Sequence, residues 1–205
     1  MIKIMYTLAR RLLHVLIAAT LTIGLAFTTY CNAGTFNIQQ LMQAFATAKP
    51  NHATFNEKKY IALLDEPVES SGKLFFSAPD HLEKRTLLPH VESLIVNGNK
   101  ILIERGSKTY YFTTQNLPEL GALINSIRGT LAGNQKVLER NFQLNLKGNM
   151  AEWTLQMVPT NKKLQNLLKH IRIAGSDNQI HSIEVLQVDG DRSYMLIQPM
   201  KNTNE

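Results

Sequence analysis

Cysteine is almost missing. The 205-residue chain has one, Cys31, and it sits in a segment that reads as a removable leader. Without it the remaining domain can form no disulfide and do no thiol chemistry. There is no glycine-rich phosphate loop. There is no H-x-x-x-H pair, so His52, His81, His90, His170 and His181 make no helical zinc site. "HLE" (His81 to Glu83) puts two metal-ligand types on one strand face, but no third partner follows. No internal repeat, low-complexity tract or Pro/Ser-rich linker divides the chain. Acidic residues are missing before position 34, where Lys3, Arg10 and Arg11 precede "LLHVLIAATLTIGLAF" and "CNA". That order predicts a Sec-type signal peptide over 1–33, cleaved before Gly34. Tyr30, bulky where a lipoprotein signal needs a small residue, argues against lipidation of Cys31. Taking the leader's three basic residues from 22 leaves 19 against 16 acidic ones. A surplus of three on an exported domain gives no ground for nucleic-acid binding.

What remains, 34–205, reads as one domain that opens on a helix. Ile38, Leu41, Met42 and Phe45 fall on one face, and Lys49-Pro50 ends it. Strands follow: "HATFNEKKYIAL", then "GKLFFS", with Leu74 and Phe76 on one side and Lys73, Phe75 and Ser77 on the other. Pro79-Asp80 turns the chain into "HLEKRTLL". "ESLIV-NGN-KILIE" is a hairpin about Asn97-Gly98 that brings Val96, Ile101 and Ile103 into adjacent strands. "TYYF" adds another strand. The period then changes to helical, with Leu120, Leu123, Ile124, Ile127 and Leu131 on one face. Asn116 and Glu119 are expected to cap this helix and Gly133 to stop it. Strands resume with Phe142, Leu144 and Leu146, then with Trp153, Leu155 and Met157. A short Lys/Leu helix over 162–168 leads to the last strands, joined by Asp189-Gly190. The class is α+β: one curved antiparallel sheet of about nine to eleven strands, covered on one face by two amphipathic helices. Close packing favours a filled interior, while a hollow between sheet and helices is the open alternative.

Three patterns invite a chemical reading. Ser70-x-x-Lys73 with Ser176-Asp177-Asn178 imitates two elements of a serine β-lactamase. That chemistry needs the serine at a helix start, whereas Ser70 leads into a strand, where residues three apart face opposite ways. K-T-G is absent. Asp189, Gly190, Asp191 and Arg192 read as a turn with local ion pairing rather than a calcium loop. Lys162, Lys163 and Lys169 beside Leu164, Leu167 and Leu168 read as a solvated helix rather than a membrane contact. No catalytic residue, metal or cofactor is expected.

A resemblance goes further. "HATFNEK" (His52 to Lys58), "GKLFFSAPDHL" (Gly72 to Leu82), the Pro89-to-Ile103 hairpin and "DGDRSYMLI" (Asp189 to Ile197) resemble, in order and spacing, strands of the LolA family of periplasmic lipoprotein carriers. The resemblance implies an unclosed β-barrel lidded by helices. Its apolar interior would take acyl chains from an inner-membrane transporter and release them to an outer-membrane acceptor. It implies a monomer in the periplasm of a Gram-negative bacterium. Candidates for the acyl-binding wall are Leu41, Phe45, Leu74, Phe76, Val96, Ile101, Ile103, Leu120, Leu123, Ile124, Ile127, Phe142, Leu144, Trp153, Leu155 and Met157. Two departures stand out. The better-known members carry, before the strand proline, an arginine that ties down the lid, and this position is Ala78. They also continue past the last strand. The sequence is more like a divergent branch whose cargo is a non-protein lipid or polyene. A structural module of an envelope complex, with a filled interior, is the reading in another class.

Overall fold

A computed structural model describes residues 36–48 and 51–200. The expected leader and the Lys49-Pro50 helix stop lie outside them. Eleven strands form one antiparallel sheet: β1 Asn51–Tyr60, β2 Val68–Ser77, β3 His81–Leu88, β4 Glu92–Asn97, β5 Lys100–Arg105, β6 Lys108–Thr113, β7 Phe142–Asn149, β8 Glu152–Pro159, β9 Leu168–Ser176, β10 Gln179–Gln187 and β11 Arg192–Pro199. The spatial order is β6-β5-β4-β3-β2-β1-β11-β10-β9-β8-β7. Every neighbour is therefore a sequence neighbour, except where β11 returns to pair with β1. Because β6 and β7 are the two edges and do not pair, the sheet is unclosed. The chain between them forms helix α2 (Pro118–Leu131) and helix α3 (Gln135–Glu139).

Helix α1 (Ile38–Ala46) buries Leu41, Met42 and Phe45, the face its spacing predicts. Its start is held by a capping box: Asn37 accepts from the Gln40 amide and Gln40 reaches back to the Asn37 amide. Helix α2 departs from expectation at its start. Its N-cap is Leu117, with no side-chain cap. The expected cap, Asn116, instead accepts from the backbone and hydroxyl of Thr113. Gly133 ends the segment as expected. It sits at φ +63, and a Cβ there would strike the Met42 carbonyl.

Helix α3 was not expected. One and a half turns are too few to show a period, yet Asn134 caps it through the Val137 amide and Leu138 is buried. It explains a second surprise, that α2 is buried on more than its apolar face. Ser126 and Thr130 are fully buried and bond to the helix's own carbonyls. Gly129 is in close contact with Leu138, so near that a Cβ would lie 2.6 Å from its side chain. The Lys/Leu segment also differs: helix α4 is only Lys162–Gln165, capped by Asn161. Leu164 and Leu168 point into the core rather than toward solvent, because β9 begins at Leu168.

The interior divides into two parts. One cluster joins α1, α3, α4 and, through Ala122, one side of α2 to β7–β10 around Trp153. Trp153 is 1% exposed and meets Phe45 edge-on at 5.7 Å. Its ring N–H donates to the Asp177 carbonyl at 3.0 Å. The second cluster joins α2 to β2–β5 through Phe76, Leu82, Val96, Ile101 and Ile124.

Candidate functional site

A cavity of about 310 Å³ lies between the sheet and α2. Strand alternation builds its wall. Ala53, Leu74 and Lys84 are cross-strand partners on β1, β2 and β3, and Lys84 in turn faces Leu94 and Ile103 across β4 and β5. Met195 and Ile197 on β11 and Ile183 on β10 extend the wall past β1. The roof is α2, through Leu120, Leu123, Ile124, Ile127 and Leu131. The filled interior expected from packing therefore holds only for the half around Trp153. Its reason is steric: α1, α3 and α4 together pack with β7–β10, while α2 is the helix that packs on the first strands.

Of the sixteen candidate wall residues, Leu74, Phe76, Ile103, Leu120, Leu123, Ile124 and Ile127 line the cavity. Leu41, Phe45, Phe142, Leu144, Trp153, Leu155 and Met157 instead belong to the Trp153 cluster, where helices already cover their strands. Val96 and Ile101 pack in the second cluster without lining the hollow.

One end of the cavity is polar, and its key residue was missed. Glu57 follows Ala53 and Phe55 in the inward phase of β1 and is buried with them. One carboxylate oxygen accepts from the Ser193 hydroxyl at 2.6 Å. The other accepts from Lys84 at 2.5 Å and Ser70 at 3.3 Å. The Lys84 ammonium also lies 4.8 Å from the centre of the Phe55 ring. The signal was available in the alternation Ala53, Phe55, Glu57, which puts a carboxylate in step with the core. Burial pushes the Glu57 pKa up, but the charge of Lys84, hydrogen bonds from Lys84 and Ser193, and the charge of Lys59 more than offset this. The carboxyl is held below its ordinary value of 4.5.

The sign follows directly. The folded state takes up this proton less readily than the unfolded chain. The stability gained is complete above the unfolded pKa and is lost as pH falls through the folded value. Glu57→Gln should therefore flatten the acid limb of thermal stability. Melting curves taken from neutral pH downward check it, and an unchanged acid limb would contradict the pairing.

The lid is tied from the helix. Arg128 on α2 donates to the Gly98 carbonyl in the β4–β5 turn, and the neighbouring Asp80 faces the same guanidinium. Burial draws the Arg128 pKa down and Asp80 acts against this. The Ala78 position thus lacks an arginine while the lid carries its own. Arg85 takes no part: it pairs with Glu83 at 3.2 Å, largely in solvent. Arg128→Met should remove a charged hydrogen bond worth about 1.5–3 kcal/mol. Faster amide hydrogen exchange along α2, with β7–β10 unchanged, is the expected result.

The other patterns resolve as structure. Ser70 and Lys73 lie on β2, Ser70 bonding inward to Glu57 and Lys73 exposed, so the two do not meet. Ser176 ends β9 and Asp177 has φ +48 in the turn that follows. His52 stacks on Phe75 at 4.5 Å and His81 meets the same ring at 5.5 Å. Asp189 and Asp191 accept from the Asp191 and Ala62 amides. Arg192 lies over Tyr60 at 4.5 Å, a ring contact in place of the expected ion pair. Among the described residues no three His, Cys, Asp or Glu side chains gather as a metal site. None of the described helices is long and apolar enough to cross a membrane.

These features define a class: an unclosed antiparallel sheet roofed by helices, with an apolar hollow beneath one of them. A sequence model of the family described as "Outer membrane lipoprotein carrier protein LolA-like" matches residues 31–203, and the chain belongs to that family. A search of curated protein sequences finds no match. Among solved structures, the chain is similar to a LolA superfamily protein, NE2245, from Nitrosomonas europaea. The identity is 8% and the TM-score 0.41, over 78% of this chain and 91% of the other. It is also similar to the lipoprotein LppX of Mycobacterium tuberculosis. There the identity is 8% and the TM-score 0.43, over 82% and 94% of the two chains. A putative outer membrane lipoprotein-sorting protein domain from Vibrio parahaemolyticus matches at 9% identity and TM-score 0.41, over 82% and 93%. The family assignment rests on the sequence model.

Proposed function

We propose that this protein is a periplasmic carrier. It shields the acyl chains of a lipoprotein or another lipid in the cavity beneath α2, and carries them toward the outer membrane. The observation that carries this reading is the cavity itself, about 310 Å³ walled by β1–β5, β10 and β11 and roofed by the apolar face of α2. Membership of the lipoprotein carrier family supports it. Each methylene withdrawn from water there is favoured by about 0.8 kcal/mol. Branched and unbranched apolar side chains accept a chain without fixing its length. The donor is an inner-membrane transporter and the acceptor an outer-membrane protein or surface. The cargo is a lipoprotein or, in this branch, a free lipid or polyene. The role is non-catalytic.

Transport is distinguished from static binding by a transfer assay. Donor vesicles holding a fluorescent acyl lipid are separated from acceptor vesicles by a membrane that passes the protein but not vesicles. The expected result is protein-dependent appearance of the lipid in the acceptor, in proportion to protein added. Transfer no faster than in buffer alone contradicts the carrier role.

A further inference from the structure

The cavity is not uniformly apolar, and its polar end carries a charge imbalance. Three of its lining residues sit together there: Glu57, Lys59 and Lys84. Both oxygens of Glu57 are engaged, by Ser193 on one side and by Lys84 and Ser70 on the other. The carboxylate therefore has little left to offer a ligand. Lys84 has given one of its three N–H groups to Glu57 and retains two. Lys59 is exposed, lies in the inward phase of β1 two residues after Glu57, and has no hydrogen-bonded carboxylate among the described residues. The group holds two cations against one anion. The next carboxylate along the wall, Glu92, is already paired with Arg105.

The floor beneath this group is arranged to hold it. Gly72 lies opposite Phe55 on β2, and a Cβ there would strike the Arg85 carbonyl, so no side chain rises at that point. The Phe55 ring, 1% exposed, lies under the Lys84 ammonium. Glu57 and the ring thus fix Lys84, a long flexible side chain, at the end of an otherwise apolar hollow. A wall that served only hydrocarbon would gain nothing from a buried ion pair, whose desolvation offsets most of its attraction.

We infer that the cavity takes an anionic amphiphile, its chain beneath α2 and its carboxylate or phosphate head held by Lys84 and Lys59. This rests on the carrier reading above and specifies the cargo's chemistry. Glu57 is a positioning residue that holds Lys84 in place, while the surplus positive charge of the two lysines disfavours a cationic head. A head with no charge would leave the group's one surplus positive charge unmatched, and a cationic head would be repelled.

The test uses the neutral apolar dye N-phenyl-1-naphthylamine, whose fluorescence rises on entering an apolar site and which asks nothing of the polar end. Dodecanoate, dodecyl phosphate, 1-dodecanol and dodecyltrimethylammonium compete with it, all below their micelle-forming concentrations. The expected result is dye binding, with at least one anion displacing dye at about one-tenth the concentration that dodecanol requires. The cation should be weakest. If dodecanoate alone shows the advantage the head is a carboxylate, and if dodecyl phosphate alone shows it the head is a phosphate. Two variants locate the effect. Lys59→Met changes an exposed residue. The double change Glu57→Gln with Lys84→Met removes both members of the buried pair, leaving no orphaned charge. Each should lose some or all of the preference for the anion, read as the ratio of the anion and dodecanol concentrations that displace half the dye from that variant. Equal displacement by all four heads, or a preference that survives both variants, overturns the head site while leaving the carrier reading intact. No dye binding and no displacement by any chain overturns both.

Discussion

Replacing Trp153 with alanine should cost the fold about 3–5 kcal/mol, the range for deleting a large buried aromatic side chain. The reasons are local and additive in kind. The indole is 1% exposed, packs edge-on against Phe45 on α1, and donates from its ring N–H to the Asp177 carbonyl. Its edge also fills the space above Gly175 on β9, where a Cβ would come within 2.6 Å of it. One side chain thus joins α1, β8, β9 and the β9–β10 turn. Since domains of this kind are stable by about 5–15 kcal/mol in total, the loss takes a large share of what there is. Urea unfolding followed by circular dichroism reads the change as a fall in midpoint at constant slope. A shift corresponding to less than about 1 kcal/mol would show that the solid half of the interior is not centred on this residue.

Leu123→Glu should do the reverse, sparing the fold and abolishing binding. Leu123 stands on the cavity face of α2 and is half-buried. Glutamate is nearly as good a helix former as leucine, so the helix persists. In the empty protein the new carboxylate is reached by water. With a chain in the cavity it would lie against hydrocarbon, where an unpaired charge is costly. The expected loss of acyl affinity is about a hundredfold, or about 2.8 kcal/mol. Dye-displacement titration measures it beside a melting curve. Unchanged affinity would place the binding site somewhere other than beneath this helix.

The sequence carried the fold further than the site. The face of α1, the Asn97-Gly98 hairpin and the period change at α2 were legible because each is a local pattern, set by neighbours within a few residues. Alternation likewise told which side of each strand faces inward. It could not tell which inward rows a helix would cover. Leu155 and Leu74 read alike on their strands, yet Leu155 is sealed in the core and Leu74 borders the hollow. The difference is set by α1, α3 and α4 packing with β7–β10, a matter of long-range packing. Helix α3, too short to show a period, was the missing piece. Alternation marks Glu57 as facing inward, but its role depends on Lys84, 27 residues away on β3, and Ser193, 136 residues away on β11. Arg128 was hidden in the same way, since its partner is a backbone carbonyl on another hairpin.

The central claim is that the space beneath α2 holds an acyl chain in the cell. The most direct measurement is mass spectrometry of the organic extract of the protein, purified without detergent, beside the same extract of Leu123→Glu. A stoichiometric acyl-bearing molecule is expected in the first and its loss in the second. A parent protein that yields no lipid from cells, and takes up none when offered, would contradict it.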